Sequence, residues 1–314
     1  MIVTLTLNPS LDYVMEPGSL LLGEVNRSRQ EQLYPGGKGI NVSLILRRMG
    51  MESRCMGFVA GETGKLLSKE LTRWEIVPEF LPLSTGFTRI NVKLQCESGV
   101  TEINGSGPQP GPADWQALWS RLEGLNEGDV LAVAGRIPAS AGQEFFSGLE
   151  QICRKGVRLA VDCSGKVLRR LLKYAPLVAK PNLAELEELC GRGLPSQQQQ
   201  IEAACQFWRC GNPCWYGAQH LLLSLGAQGA LLFFDDGRGG TVLYLPAPSG
   251  KVVNPVGAGD SMLAGCLAGL QRGLPAEEIL SLAVGWGSAT AFSQWLAETP
   301  VATQQVQTIL KRRY

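Results

Sequence analysis

Short apolar runs recur along this chain, each ahead of a segment with helical spacing of apolar residues. They fall at 1–7, 130–134, 158–162, 177–179 and 221–225. Continuous apolar runs of this length read as strands buried on both faces, and the helices between them are the crossovers that parallel neighbours require. Residues 39–49 show the helical spacing, with Val42, Ile45, Leu46 and Met49 on one face. The expected class is α/β, a mainly parallel sheet with helices on both faces.

Two stretches, 11–34 and 88–104, break this rhythm with strands and hairpins but no helix; Gly99 marks a turn in the second. They are expected to form a small separate sheet, discontinuous in sequence, that acts as a lid over the site. Residues 191–200, with four glutamines, read as a solvated loop entering a helix. The 314 residues suit one α/β domain with this appendage.

Lys and Arg total 29 against 28 Asp and Glu, a net charge of +1. No general basic field exists to hold nucleic acid or an anionic membrane, so any phosphate-binding charge must be local. The first residues alternate as a strand rather than as a signal peptide, and no apolar stretch has membrane-spanning length. A cytoplasmic protein is expected. The nine cysteines are scattered, and Cys163 and Cys266 sit inside strand-like and helical patterns, as reduced buried thiols do. Cys205, Cys210, Cys214 and His220 lie close enough to raise a zinc site. Their spacing is irregular and lacks Cys-x-x-Cys, which favours ordinary thiols. His220 is the single histidine, so a catalytic base is expected to be a carboxylate.

The most informative segment is Gly257-Ala258-Gly259-Asp260, followed by a helical pattern over 261–270. Glycines let backbone approach a phosphate, and a helix start offers free amides and a positive dipole end. A carboxylate there is repelled by phosphate unless the chemistry needs it. Phosphoryl transfer does: the amides stabilise the moving group and Asp260 takes the proton of the attacking hydroxyl. The plain alternative is Asp260 as an N-cap. Met262 and Lys38-Gly39 rule out a dinucleotide fingerprint and a Walker A loop respectively.

Four further groups are candidates. Gly36, Gly37 and Gly39 flank Lys38 and precede Asn41 at another helix start, which is either a ligand cradle or a simple turn. Asp12 lies just past the first strand, where it can accept two sugar hydroxyls or stabilise its own turn. Arg89, Asn91 and Lys93 alternate onto one strand face, either solvated or turned towards a phosphate. Asn182 and Glu185 have capping-box spacing after Lys180, and Glu185 could also hold Mg²⁺ through water.

Four motifs stand in one order: Thr6-Leu7-Asn8-Pro9 with Asp12, Pro35 to Gly39 with Asn41, Lys180-Pro181-Asn182 with Glu185, and Val256 to Ser261. Together they resemble the phosphofructokinase B family of sugar kinases, with its ribokinase-like three-layer α/β/α fold, from residue 1 to about residue 293. Asp12-Tyr13-Val14, Asn26-Arg27-Ser28 and Thr88 to Lys93 look like the members that phosphorylate fructose 1-phosphate. The resemblance implies Asp260 as base, with Gly257, Ala258 and Gly259 as the anion hole. It implies ATP near Lys180, Asn182, Ser224, Gly226, Gly229 and Gly259, and Mg²⁺ organised by Glu185. Asp12, Arg27, Gly37, Lys38, Asn41 and Arg89 would hold the sugar phosphate. A homodimer through the lid sheet is also implied. Tagatose-6-phosphate kinase, and a silent sugar-phosphate sensor on the same fold, are the rival expectations. Arg136 departs from the family, which has a small residue there, and could reach a phosphate or point to solvent.

Overall fold

The computed structural model describes residues 1–97, 99–138, 140–208 and 217–311. In chain order the elements begin β1 (Ile2–Thr6), β2 (Ser10–Gly18), β3 (Glu31–Gly36), α1 (Lys38–Arg48), β4 (Arg54–Ala60), α2 (Gly61–Arg73), β5 (Pro78–Leu83), β6 (Arg89–Cys96), β7 (Gly99–Asn104) and α3 (Pro112–Leu122). They continue as β8 (Val130–Ala134), α4 (Gln143–Arg154), β9 (Arg158–Asp162), α5 (Gly165–Leu171), β10 (Val178–Ala179), α6 (Leu183–Cys190) and α7 (Gln197–Cys205). The last are β11 (His220–Ser224), β12 (Ala230–Phe234), β13 (Thr241–Leu245), α8 (Ala258–Gln271), α9 (Ala276–Ala291) and α10 (Thr299–Lys311).

The main sheet has nine strands in the order β13-β12-β11-β10-β9-β8-β1-β4-β5. Its pivot is β1, paired in parallel with β4 on one side and β8 on the other. Alternation along β1 feeds two cores. Val3 and Leu5 pack with Trp115 of α3, Phe145 of α4 and Leu168 of α5, while Ile2 joins Ile40 of α1, Leu263 of α8 and Val284 of α9. Apolar clusters on both faces make the three layers, with a third around Leu186, Leu221 and Phe233 under α6 and α7.

One expected feature is absent. No α-helix follows β11; a single 3-10 turn at Gly226–Gln228 leads into antiparallel β12 and then β13. Gly229, at φ 102°, permits that reversal. The end of the sheet beyond β11 is therefore antiparallel.

A second sheet has the order β3-β2-β6-β7, with β2 and β6 parallel and the outer pairs antiparallel. The register and pleat put Ser10, Asp12, Arg89, Asn91 and Lys93 on one face. Leu11, Tyr13, Ile90, Val92 and Ile103 take the other. No helix among the described residues is long and apolar enough to cross a membrane.

Candidate active site

A cleft of about 850 Å³ opens where β1, β8, β9, β10 and β11 end. Thr6, Ala134, Asp162, Lys180 and Ser224 line it from those strand ends. The order reverses at β1, so the strand ends part there and leave the crevice in which open α/β sheets take ligands. Asp12, Arg89, Asn91 and Glu102 enter from the second sheet, and Gly257 to Asp260 enter from the start of α8.

Gly257 holds a left-handed φ of 82° immediately before α8. The helix starts at Ala258, earlier than the sequence pattern suggests, so Asp260 is its third residue. That excludes the N-cap role: the carboxylate makes no capping bond and instead accepts a hydrogen bond from Asn41 Nδ2 at 2.7 Å. The amides of Gly259 and Asp260 have no backbone acceptor among the described residues, as expected in a first helical turn. Burial, then the charge of Asp162, pushes the Asp260 carboxyl up to about 6, with Lys38, Asn41 and Lys180 acting the other way.

Beside it stands a charged group that links three segments. Asp162, fully buried, takes Lys38 Nζ at 2.7 Å on one oxygen and Lys180 Nζ at 3.1 Å on the other. Burial alone would raise the Asp162 carboxyl, but Lys180 and Lys38 outweigh it and hold it below the usual carboxylate range. Burial alone would likewise lower the Lys38 ammonium, but Asp162 and Asp260 raise it above its ordinary value. Asp162 is not among the sequence candidates. Its signal is its place as last residue of the 158–162 run, at a strand end like that which marks Lys180.

On the second sheet, Asp12 Oδ1 accepts from Ser10 Oγ at 2.7 Å and from Asn91 Nδ2 at 2.9 Å, and Lys93 Nζ lies 2.9 Å from Oδ2. Arg89 Nε donates to the Asn8 carbonyl at 3.2 Å and Nη1 to that of Gly105 at 3.4 Å. The face carrying Arg89, Asn91 and Lys93 is thus turned to the cleft and is not a solvated surface. Among the buried side-chain oxygens without a hydrogen-bond partner are Thr6 Oγ1, Asn8 Oδ1, Asn41 Oδ1 and Asn91 Oδ1. All of these residues line the cleft.

Gly37, Lys38, Asn41, Asn182, Ser224, Gly226 and Gly229 line it too, and its apolar lining includes Pro248, Val252 and Phe292. Two candidates stand apart. Arg27 is exposed in the β2–β3 connection and does not line the cleft of its own chain. Glu185 is also outside the lining. It is buried, and its Oε2 accepts from the Asn182 amide at 2.9 Å while its own amide donates to Asn182 Oδ1 at 2.8 Å. Arg136 lines the cleft.

Among the described residues no group of three or more His, Cys, Asp or Glu could hold a metal. Cys210 and Cys214 lie outside those residues. His220 Nδ1 accepts the Asp235 amide at 3.1 Å, its ring stacks on Phe234, and burial lowers its pKa to about 4.

Comparisons with known proteins agree with this geometry. Residues 5–300 match the family described as pfkB family carbohydrate kinase. The 1-phosphofructokinase of Bacillus subtilis (strain 168) is 39% identical over 297 residues, covering 94% of each chain. The D-tagatose-1-phosphate kinase of Bacillus licheniformis is 32% identical over 311 residues, covering 98% of each. Phosphofructokinase-2 of Escherichia coli, solved with fructose-6-phosphate and in a tetrameric inhibited form, has a TM-score of 0.88 and 25% identity, covering 98% of this chain and 99% of that one. The match spans the strand ends, both glycine clusters and the start of α8, and the chain belongs to the pfkB family of carbohydrate kinases.

Proposed function

We propose that this kinase transfers the γ-phosphoryl group of ATP to the C6 hydroxyl of fructose 1-phosphate, giving fructose 1,6-bisphosphate and ADP. The observation that carries the reading is Asp260: a buried carboxylate with a pKa of about 6, set beside the unpartnered amides of Gly259 and Asp260. A base with a pKa near the working pH can be ionised at rest and still take a proton in the transition state. As the oxygen–phosphorus bond forms, the hydroxyl proton passes to Asp260 and the bond to ADP breaks. The α8 amides and Lys180 stabilise the charge on the transferring group and the leaving oxygen.

The donor sets fit both ligands. Thr6, Asn8, Asn41 and Asn91 leave buried acceptors open in the cleft. Buried polar atoms need partners, and a polyol supplies hydroxyl donors at several of them at once. Asp12, anchored by Lys93, adds a charged acceptor. For the nucleotide, Ser224, Gly226 and Gly229 offer close backbone approach in a cleft that also has apolar lining residues. Mg²⁺ would be held mainly by the nucleotide phosphates and water, and Glu185, buried outside the cleft lining with Oε2 on the Asn182 amide, would act on it only through that water. When bound, Mg²⁺ neutralises phosphate charge during transfer.

The second sheet acts in this reading as a lid and as the contact of a homodimer, in a protein of the cytoplasm. The 32% identity to a D-tagatose-1-phosphate kinase makes that ketohexose phosphate the second candidate. A coupled ADP-release screen over fructose 1-phosphate, tagatose 1-phosphate, tagatose 6-phosphate and free fructose tests the assignment. Fructose 1-phosphate should have the highest kcat/KM. Preference for tagatose 6-phosphate or free sugar overturns it, and binding without ADP release would make the protein a sensor.

A further inference from the structure

We propose that Arg136 is a specificity-determining residue that, together with Arg89, grips the phosphate already present on the sugar. The proposal rests on the sugar-phosphate reading above and adds a residue that reading does not use.

Five basic side chains lie in or beside the cleft: Lys38, Lys93, Lys180, Arg89 and Arg136. Lys38 and Lys180 share the Asp162 carboxylate, at 2.7 and 3.1 Å, and Lys93 is paired with Asp12 at 2.9 Å. Each of these three thus has a carboxylate beside it, Lys38 and Lys180 sharing one and Lys93 holding its own. Arg89 is different: its hydrogen bonds go to two backbone carbonyls, which orient the guanidinium without cancelling its charge. Arg136 has no hydrogen bond or ion pair to any described residue. A phosphate monoester near neutral pH carries close to two negative charges, so guanidinium groups without a carboxylate partner are favourable places for it. Arg89 and Arg136 are the two cleft cations with no ion-paired carboxylate among the described residues.

Position supports the pairing. Arg89 comes from the second sheet, whereas Arg136 follows β8 of the main sheet, so the two reach the cleft from different sheets. They are close enough that the Arg136 charge adds to burial in lowering the Arg89 pKa, against Asp12. Two cations held near each other repel, and an anion between them relieves that repulsion. The rim is also anchored. Gly135, at φ 93°, donates its amide to the Asp162 carbonyl at 2.9 Å, and its Cα faces the Lys38 side chain. Arg136 is therefore carried on a fixed turn beside the charged group. Arg27, the third cation expected from sequence to hold the phosphate, is exposed and outside the cleft of its own chain.

Guanidinium groups bind phosphate through paired N–H donors, which a lysine cannot reproduce. The test compares wild type, Arg136→Ala and Arg136→Lys on fructose 1-phosphate, free fructose and ATP, with the melting temperature of each. Arg136→Ala should raise KM for the sugar phosphate about ten- to a hundredfold, with a smaller fall in kcat and no shift in KM for ATP. The kcat/KM ratio of phosphorylated to free sugar should fall with it, and Arg136→Lys should recover part of the loss. A folded Arg136→Ala enzyme with an unaltered ratio overturns this inference alone, as does a KM change confined to ATP. A wild-type enzyme that prefers free fructose overturns both this inference and the functional reading beneath it. Arg136 is exposed, so loss of folding is not expected; should Arg136→Ala melt early, Arg136→Gln, which stays polar but loses the charge, carries the same comparison.

Discussion

Asp260 reverses the usual behaviour of a carboxylate in a folded protein. Its pKa rises from 3.8 to about 6, so the folded state binds its proton more tightly than the unfolded chain does. Its ionisation therefore costs stability above pH 6, and that cost disappears as pH falls towards 4. Asp260→Asn should accordingly lose activity and gain stability. Turnover should fall about 10²–10⁴-fold, because the amide cannot accept the hydroxyl proton. The variant should nevertheless melt higher than wild type at pH 7, by an amount on the order of 1–3 kcal/mol, and the gain should shrink at pH 5. The Asn41 bond can survive, since an amide oxygen still accepts from Nδ2. Wild-type kcat/KM should also rise with pH through about 6 as the base ionises. Near-wild-type turnover in folded Asp260→Asn would remove Asp260 from the chemistry. An unaltered melting temperature at both pH values would deny the burial cost.

At the scale of an element, the start of α8 decides whether Asp260 and its neighbouring amides face the cleft together. Gly257 is the hinge of that arrangement: at φ 82° an L side chain is strained, and a Cβ would meet Leu296 Cδ2 at 2.6 Å. Gly257→Ala should destabilise the fold by about 1–2 kcal/mol and lower kcat more than it raises either KM, since the amides would shift relative to the transferring group. Equal loss in every kinetic constant would argue for general unfolding instead. The glycines and Asp260 are legible in the sequence because their chemistry is local. So are most main-sheet strands, whose burial on both faces leaves unbroken apolar runs. Asp162 is not legible, because what gives it meaning is Lys38, 124 residues away along the chain. Strand direction is equally hidden. Ala230–Phe234 is as apolar as a parallel strand, and only the turn at Gly226–Gln228 makes it antiparallel. The edge strand Pro78–Leu83, with two prolines among six residues, falls below any strand pattern.

For the molecule as a whole, the second sheet serves two surfaces at once. Its polar face carries Asp12, Arg89 and Asn91 to the cleft. Its opposite face presents Ile90 and Ile103, the latter 61% exposed, and its edge strand β7 is exposed along its full length. An unpaired edge with apolar neighbours invites aggregation unless something covers it. A second copy of the chain is the proposed occupant, because one contact would cover that face and also stiffen the sheet proposed to hold the sugar. Sedimentation of the wild type should show a dimer across micromolar concentrations. Ile103→Glu places a charge in the apolar contact and should yield a monomer. Its KM for sugar phosphate should rise several-fold while that for ATP holds, because Ser224, Gly226 and Gly229, the residues proposed to meet the nucleotide, come from the main sheet and its connections. A wild type that sediments as a monomer would refute the contact. A monomeric Ile103→Glu enzyme with an unshifted sugar-phosphate KM would keep the dimer but separate it from substrate binding.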